Sequence, residues 1–163
     1  MYKNPEIYFV TIIGIILGLL LVGFIVAIPL GPAKAAGDLT TQEPVEIKVQ
    51  LGNEKDALRF FPETINLETG KLYRLILSNP SPQKHYFSSE AMAQAVFTRK
   101  VQVNGADGKP IAEVKGQVRE VEVYPRGITE WWFVPVKTGN FSDLKCTIPG
   151  HSQGGMVGSI SIK

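Results

Sequence analysis

Cysteine and histidine are nearly missing from this chain of 163 residues: it has one Cys, Cys146, and two His, His85 and His151. A single thiol excludes an intrachain disulfide framework, and its position near the C-terminus excludes lipid attachment through an N-terminal cysteine. An excess of charge is missing too. Seventeen Lys and Arg face fifteen Asp and Glu, for a formal net charge of +2, and no basic block is present. The charges read as an ordinary solvated surface, which argues against nucleic acid or a strongly acidic partner. There is no internal repeat.

One long apolar run is present. Residues 9–28 are uncharged and almost wholly apolar, interrupted by Thr11 and a few glycines. Twenty residues of helix at about 1.5 Å each span about 30 Å, the hydrocarbon thickness of a bilayer. Signal-peptide cores are shorter, about 7–15 residues, so the length favours a retained membrane anchor. Ala33-Lys34-Ala35 followed by Ala36 is nevertheless an Ala-x-Ala cleavage pattern, and cleavage after Ala35 would release a soluble exported form. Either outcome carries the rest of the chain out of the cytoplasm: to a periplasm, a cell surface or a thylakoid lumen. The expected organisation is an anchor or signal segment at 1–36, a linker at 37–44 and a folded domain at 45–163.

The domain reads as all-β. Val45, Ile47, Val49 and Leu51 alternate with polar residues, as on a half-buried strand. Further strands are expected at 58–61, 64–67, 72–77, 101–103, 118–123 and 128–136, and a closing pair at 141–147 and 156–162. Turn residues separate them, among them Gly70, Asp107-Gly108 and Gly139-Asn140. Residues 88–96 break the pattern and predict one short helix capped by Ser88 or Ser89. About eight short strands with one short helix imply a Greek-key β-sandwich. Trp131 and Trp132 are adjacent, so on a strand they face opposite ways, one into the core.

The last strand pair brackets the chemically richest segment, Cys-Thr-Ile-Pro-Gly-His-Ser-Gln-Gly-Gly-Met, with Cys146, His151 and Met156 five residues apart. Pro149 and Gly150 turn the chain just before His151, and Gly154-Gly155 returns it to the final strand. One hairpin thereby presents a thiolate, an imidazole and a thioether to one point. The remaining histidine, His85, follows the strand at 72–77 within one loop's reach. Two imidazoles, a thiolate and a weak axial methionine form the ligand set of a blue copper electron-transfer centre. Soft sulfur favours copper(I) and imidazole suits both oxidation states, so a mixed set held by the fold limits rearrangement between them.

Cys146-Thr147-Ile148-Pro149-Gly150-His151 with Met156 resembles the cupredoxins, the type 1 blue copper proteins, and the Cys-x4-His-x4-Met spacing is similar to auracyanin and rusticyanin. Upstream, Phe61-Pro62, Ile65, Gly70 and the run through Asn79 to His85 resemble the family's segment before its first histidine. The resemblance implies one copper ion held by His85, Cys146 and His151 equatorially and Met156 axially. It also implies single-electron exchange with a redox donor and acceptor that dock transiently near His151, on an apolar patch drawn from Ile148, Pro149 and Met156. One departure stands out: the family often places Asn after the first histidine, bonded to the residue after the cysteine, and this chain has Tyr86 there.

Catalysis is not expected. A binuclear oxidase-type centre needs a second cysteine near the histidine, where Gly150 stands. A nitrite reductase or multicopper oxidase needs further histidines for a catalytic copper, and none remain after His85 and His151. The alternative reading is a copper carrier, or a structural subunit of a membrane redox complex.

Overall fold

The computed structural model describes residues 41–163. The apolar run at 9–28 and the cleavage pattern at 33–36 lie outside them, and with them the expected anchor. Among the described residues no helix is long and apolar enough to cross a membrane.

Among the described residues, eleven strands and one helix follow in order: β1 Val45–Leu51, β2 Phe60–Phe61, β3 Thr64–Leu67, β4 Tyr73–Ser78, β5 His85–Ser88, α1 Glu90–Ala95, β6 Val96–Asn104, β7 Pro110–Val114, β8 Glu120–Val123, β9 Ile128–Pro135, β10 Gly139–Lys145 and β11 Val157–Ile162. They form a six-stranded sheet in the order β2-β1-β4-β9-β6-β7 and a five-stranded sheet in the order β3-β11-β10-β5-β8. Both are mixed: β1 runs parallel to β4, and β3 parallel to β11.

Two strands, β5 and β7, have no counterpart among the nine segments expected from the sequence, and β6 is longer than expected. β6 spans nine residues where the sequence suggested three, because Thr98, Arg99 and Lys100 interrupt the apolar pattern; the ladder with β9 shifts register there, leaving Arg99 out, and continues on both sides. β7 is exposed along its whole length, so no buried face marks it in the sequence. β5 is the functionally important addition. His85 does not hang from the end of the preceding strand; it opens a strand of the opposite sheet.

Period-two alternation places the core. β4 buries Tyr73, Leu75 and Leu77, and β5 buries His85 and Phe87 on one face. Aromatic rings then chain across the interior: Phe60 lies 5.8 Å from Phe87, Phe87 6.4 Å from Trp131, and Trp131 5.7 Å from Phe133. Offset and edge-on pairs of this kind add about 0.5–1.5 kcal/mol each beyond their burial. Trp131 is fully buried and donates its Nε1–H to Thr98 Oγ1 at 3.0 Å, so its polar edge is satisfied. Trp132 faces outward between the Arg74 guanidinium and the Lys100 ammonium, 5.5 and 5.2 Å from its ring centre. Ser89 caps α1 by accepting the Met92 N–H, and its own hydroxyl is held by Asp143 of β10. The helix is thus tied to the strand that leads to Cys146.

Candidate metal centre

β5 and β10 are neighbours in the five-stranded sheet, paired at Lys145 and Ser88. Leu144 and Cys146 share the buried face of β10 and its extension, just as Phe87 and His85 share that of β5. Two adjacent strands therefore aim Cys146 and His85 into the same end of the sandwich, and both are 0% exposed. The Tyr86 N–H donates to Cys146 Sγ from 3.4 Å, which ties the sulfur to the backbone of β5.

His151 arrives from the hairpin. Its N–H donates to the Ile148 carbonyl at 3.0 Å, and its own carbonyl accepts the Met156 N–H at 2.9 Å. Cys146 N–H closes the loop onto the Met156 carbonyl at 3.0 Å. Gly150 and Gly155, with φ of 87° and 107°, supply the left-handed turns on either side of the histidine. Gly154 leaves room for a neighbouring segment: a Cβ there would lie 2.4 Å from Leu58 Cδ1.

The result is one cluster. Cys146 Sγ lies 3.5 Å from His151 Nδ1 and 4.0 Å from His85 Nδ1, and the three ligand atoms fall within 4.8 Å of one another. Both rings turn Nδ1 toward the sulfur, with ring centres 5.2 Å apart. Burial and then the neighbouring His151 ring push the His85 imidazole below its ordinary pKa, with Asp56 opposing. A depressed value keeps the ring neutral, which is the form that binds metal.

This cluster fits copper. It offers one soft sulfur and two imidazoles, and it leaves His85 Nε2 buried without a hydrogen-bond partner, a cost that a metal-bound ring with a partner on its far side would remove. Met156 is fully buried at the far end of the same hairpin. That burial corrects one expectation: Met156 does not contribute to a surface docking patch. Ile148 is half-buried, Pro149 and Gly150 are exposed, and His151 is partly exposed beside them.

The Tyr86 departure has a structural answer. With no Asn after the first histidine, the Thr147 hydroxyl donates to Glu120 Oε2 of β8 at 2.7 Å. The residue after the cysteine is thus fastened from the other side of β5.

Residues that the sequence did not single out surround His85. Asn79 Nδ2 donates to the carbonyls of Gln83 and Val123, and Asn79 Oδ1 accepts the Ser81 N–H, so the 79–84 segment is folded on one amide. Asn79-Pro80-Ser81 carried a turn signal that could have marked this. Gly52 and Asp56 carried none: they lie in the polar stretch Gly52-Asn53-Glu54-Lys55-Asp56, which holds no metal-ligand spacing.

No protein-family model matches the chain. It is similar to the copper-resistant cuproprotein CopI of Rubrivivax gelatinosus, with 29% identity over 114 residues, and the match covers 66% of this chain and 62% of that protein. The chain therefore spans less than two thirds of the curated relative's length. Among solved structures, a multi-copper oxidase from Pediococcus acidilactici superposes with a TM-score of 0.56 at 16% identity, covering 75% of this chain and 27% of the oxidase. Auracyanin B aligns with a TM-score of 0.49 at 16% identity, covering 78% of this chain and 95% of its own. The fold is cupredoxin-like.

Proposed function

We propose that the chain is a type 1 blue copper protein that carries single electrons between redox partners on the extracytoplasmic side of a membrane. One observation carries the reading: Cys146, His85 and His151 converge within 4.8 Å at a buried end of the sandwich. His85, Cys146 and His151 would hold copper there, with Met156 as a weaker fourth donor, and the ion would supply a one-electron couple. The protein's own contribution is rigidity. Cys146 and His85 sit on paired strands, and the His151 loop is closed by backbone hydrogen bonds at both ends, so the donors need not move when charge changes. His151 is the partly exposed ligand and gives electrons the shortest way out, with half-buried Ile148 and exposed Pro149 beside it as a small apolar docking face for donor and acceptor. Both histidines belong to this one cluster, so none remains to build a second, catalytic copper.

A copper carrier is the second reading, and the name of the relative CopI, a copper-resistant cuproprotein, favours it. Visible spectroscopy with redox cycling separates the two. An electron carrier is intensely coloured with copper(II) and bleaches reversibly on reduction, and Cys146→Ser loses the colour entirely. A site that takes up only copper(I) and stays colourless points to metal delivery. A Cys146→Ser protein that stays blue overturns the ligand assignment.

A further inference from the structure

The far side of the His85 ring is built with unusual care. Nε2 is fully buried and lacks a hydrogen bond, and the carboxylate that faces it is Asp56, with Oδ1 at 4.0 Å. Asp56 sits at φ 60° in the loop between β1 and β2, where its N–H donates to the Asn53 carbonyl at 2.9 Å. Asn53 Oδ1 in turn accepts the N–H groups of Lys55 and Ala57. The carboxylate is oriented from outside the loop as well: Ser81 Oγ donates to Oδ1 at 2.6 Å, and Gln83 Nε2 donates to Oδ2. Ser81 and Gln83 belong to the segment that delivers His85. Gly52 keeps the approach open, since a Cβ there would meet Nε2 at 3.0 Å.

Neutral imidazole carries one proton. If Nδ1 faces the metal, Nε2 must hold the proton, and a buried N–H needs an acceptor. Asp56 is the charged acceptor in position. At 4.0 Å the pair is a contact, and a movement of about 1 Å by ring or loop makes it a hydrogen bond.

We propose that Asp56 is a positioning residue of the metal centre: its carboxylate receives the Nε2–H of His85, fixes the ring with Nδ1 toward Cys146, and sets a negative charge one ring away from the bound ion. The proposal rests on the copper reading above. The charge favours copper(II) over copper(I), so neutralising it shifts preference toward the reduced ion.

Asp56→Asn isolates the charge, because Asn tolerates positive φ as Asp does and its amide oxygen can still accept from Ser81. The first measurement uses metal-free protein: nitrogen-15 NMR of the imidazoles is expected to show His85 protonated at Nε2 in the wild type, with a slowly exchanging proton, and a loss of that bias in Asp56→Asn. The second compares copper(I) and copper(II) affinities by competition titration. Their ratio is expected to move about tenfold toward copper(I) in the variant, which is 59 mV for one electron, while the folded spectrum is kept. Wild-type His85 protonated at Nδ1, or an unchanged affinity ratio, overturns the proposal. A wild-type chain that binds no copper sinks the copper reading instead, and the tautomer measurement still decides the Asp56–His85 contact. If Asp56→Asn fails to fold, the wild-type tautomer decides alone.

Discussion

Replacing Gly52 by alanine tests how tightly the space behind His85 is drawn. Gly52 has φ of 75°, and an added Cβ would lie 3.0 Å from His85 Nε2, 3.1 Å from Ser81 Cβ and 3.2 Å from the Ala57 carbonyl oxygen. Two costs add. A left-handed backbone at a non-glycine residue costs about 1 kcal/mol at the low end. Crowding a filled site costs a further 1–3 kcal/mol or so, because His85 and Ser81 are both fully buried and have little room to yield. Gly70 supplies the control, with the same φ of 75° and nothing within 4 Å of an added Cβ, so Gly70→Ala carries only the backbone cost. With an unfolding entropy of about 0.25 kcal/mol/K for a domain of about 120 residues, Gly70→Ala should lower Tm by about 4 °C and Gly52→Ala by roughly 8–16 °C. Thermal denaturation of the metal-free proteins, followed by circular dichroism, reads both. On the proposed copper reading, copper titration should also show weaker binding in Gly52→Ala alone, since its crowding falls on His85. Equal Tm losses in the two variants would refute the claim that Gly52 makes room for His85.

Two further predictions concern Met156 and the outer sheet face. Met156→Gln should keep the visible band, because the thiolate that gives it colour is untouched, and should lower the reduction potential by about 59 mV or more, a tenfold or greater shift toward copper(II), as a harder oxygen donor replaces a thioether; potentiometric titration reads it. Glu130 of β9 has its carboxyl held below the usual range, first by the Arg74 guanidinium at 2.6 Å and then by Asn104 and Trp132, against the opposing effect of burial. A carboxyl depressed in the folded state stabilises the fold above its unfolded pKa of about 4.5 and loses that contribution as pH falls through the lower folded value. Glu130→Gln should therefore cost about 2 kcal/mol at pH 7 and progressively less as pH falls below 4.5, measured by urea unfolding across that range.

How much of the site could be read along the chain depended on the distance between its parts. Cys146 and His151 lie five residues apart on one hairpin, so their proximity follows from local turn chemistry alone. The β alternation at 45–51 and 72–77 and the Ser89 cap were legible for the same reason: a strand face or a cap is written within a few residues. β5 was not, because four residues beginning with a buried histidine carry no apolar run to mark them. Nor was the Thr147–Glu120 hydrogen bond, which joins positions 27 residues apart across two strands.

The sequence by itself narrowed the candidate donors. With one cysteine and two histidines in the sequence, any site combining a thiolate with two imidazoles had to draw on Cys146, His85 and His151. Only the tertiary structure decided that His85 joins Cys146 from 61 residues away, that the ring turns Nδ1 inward, and that Asp56 and Gly52 lie behind it. Those relations depend on which strands pair and how two sheets pack, and packing is settled by the whole core at once.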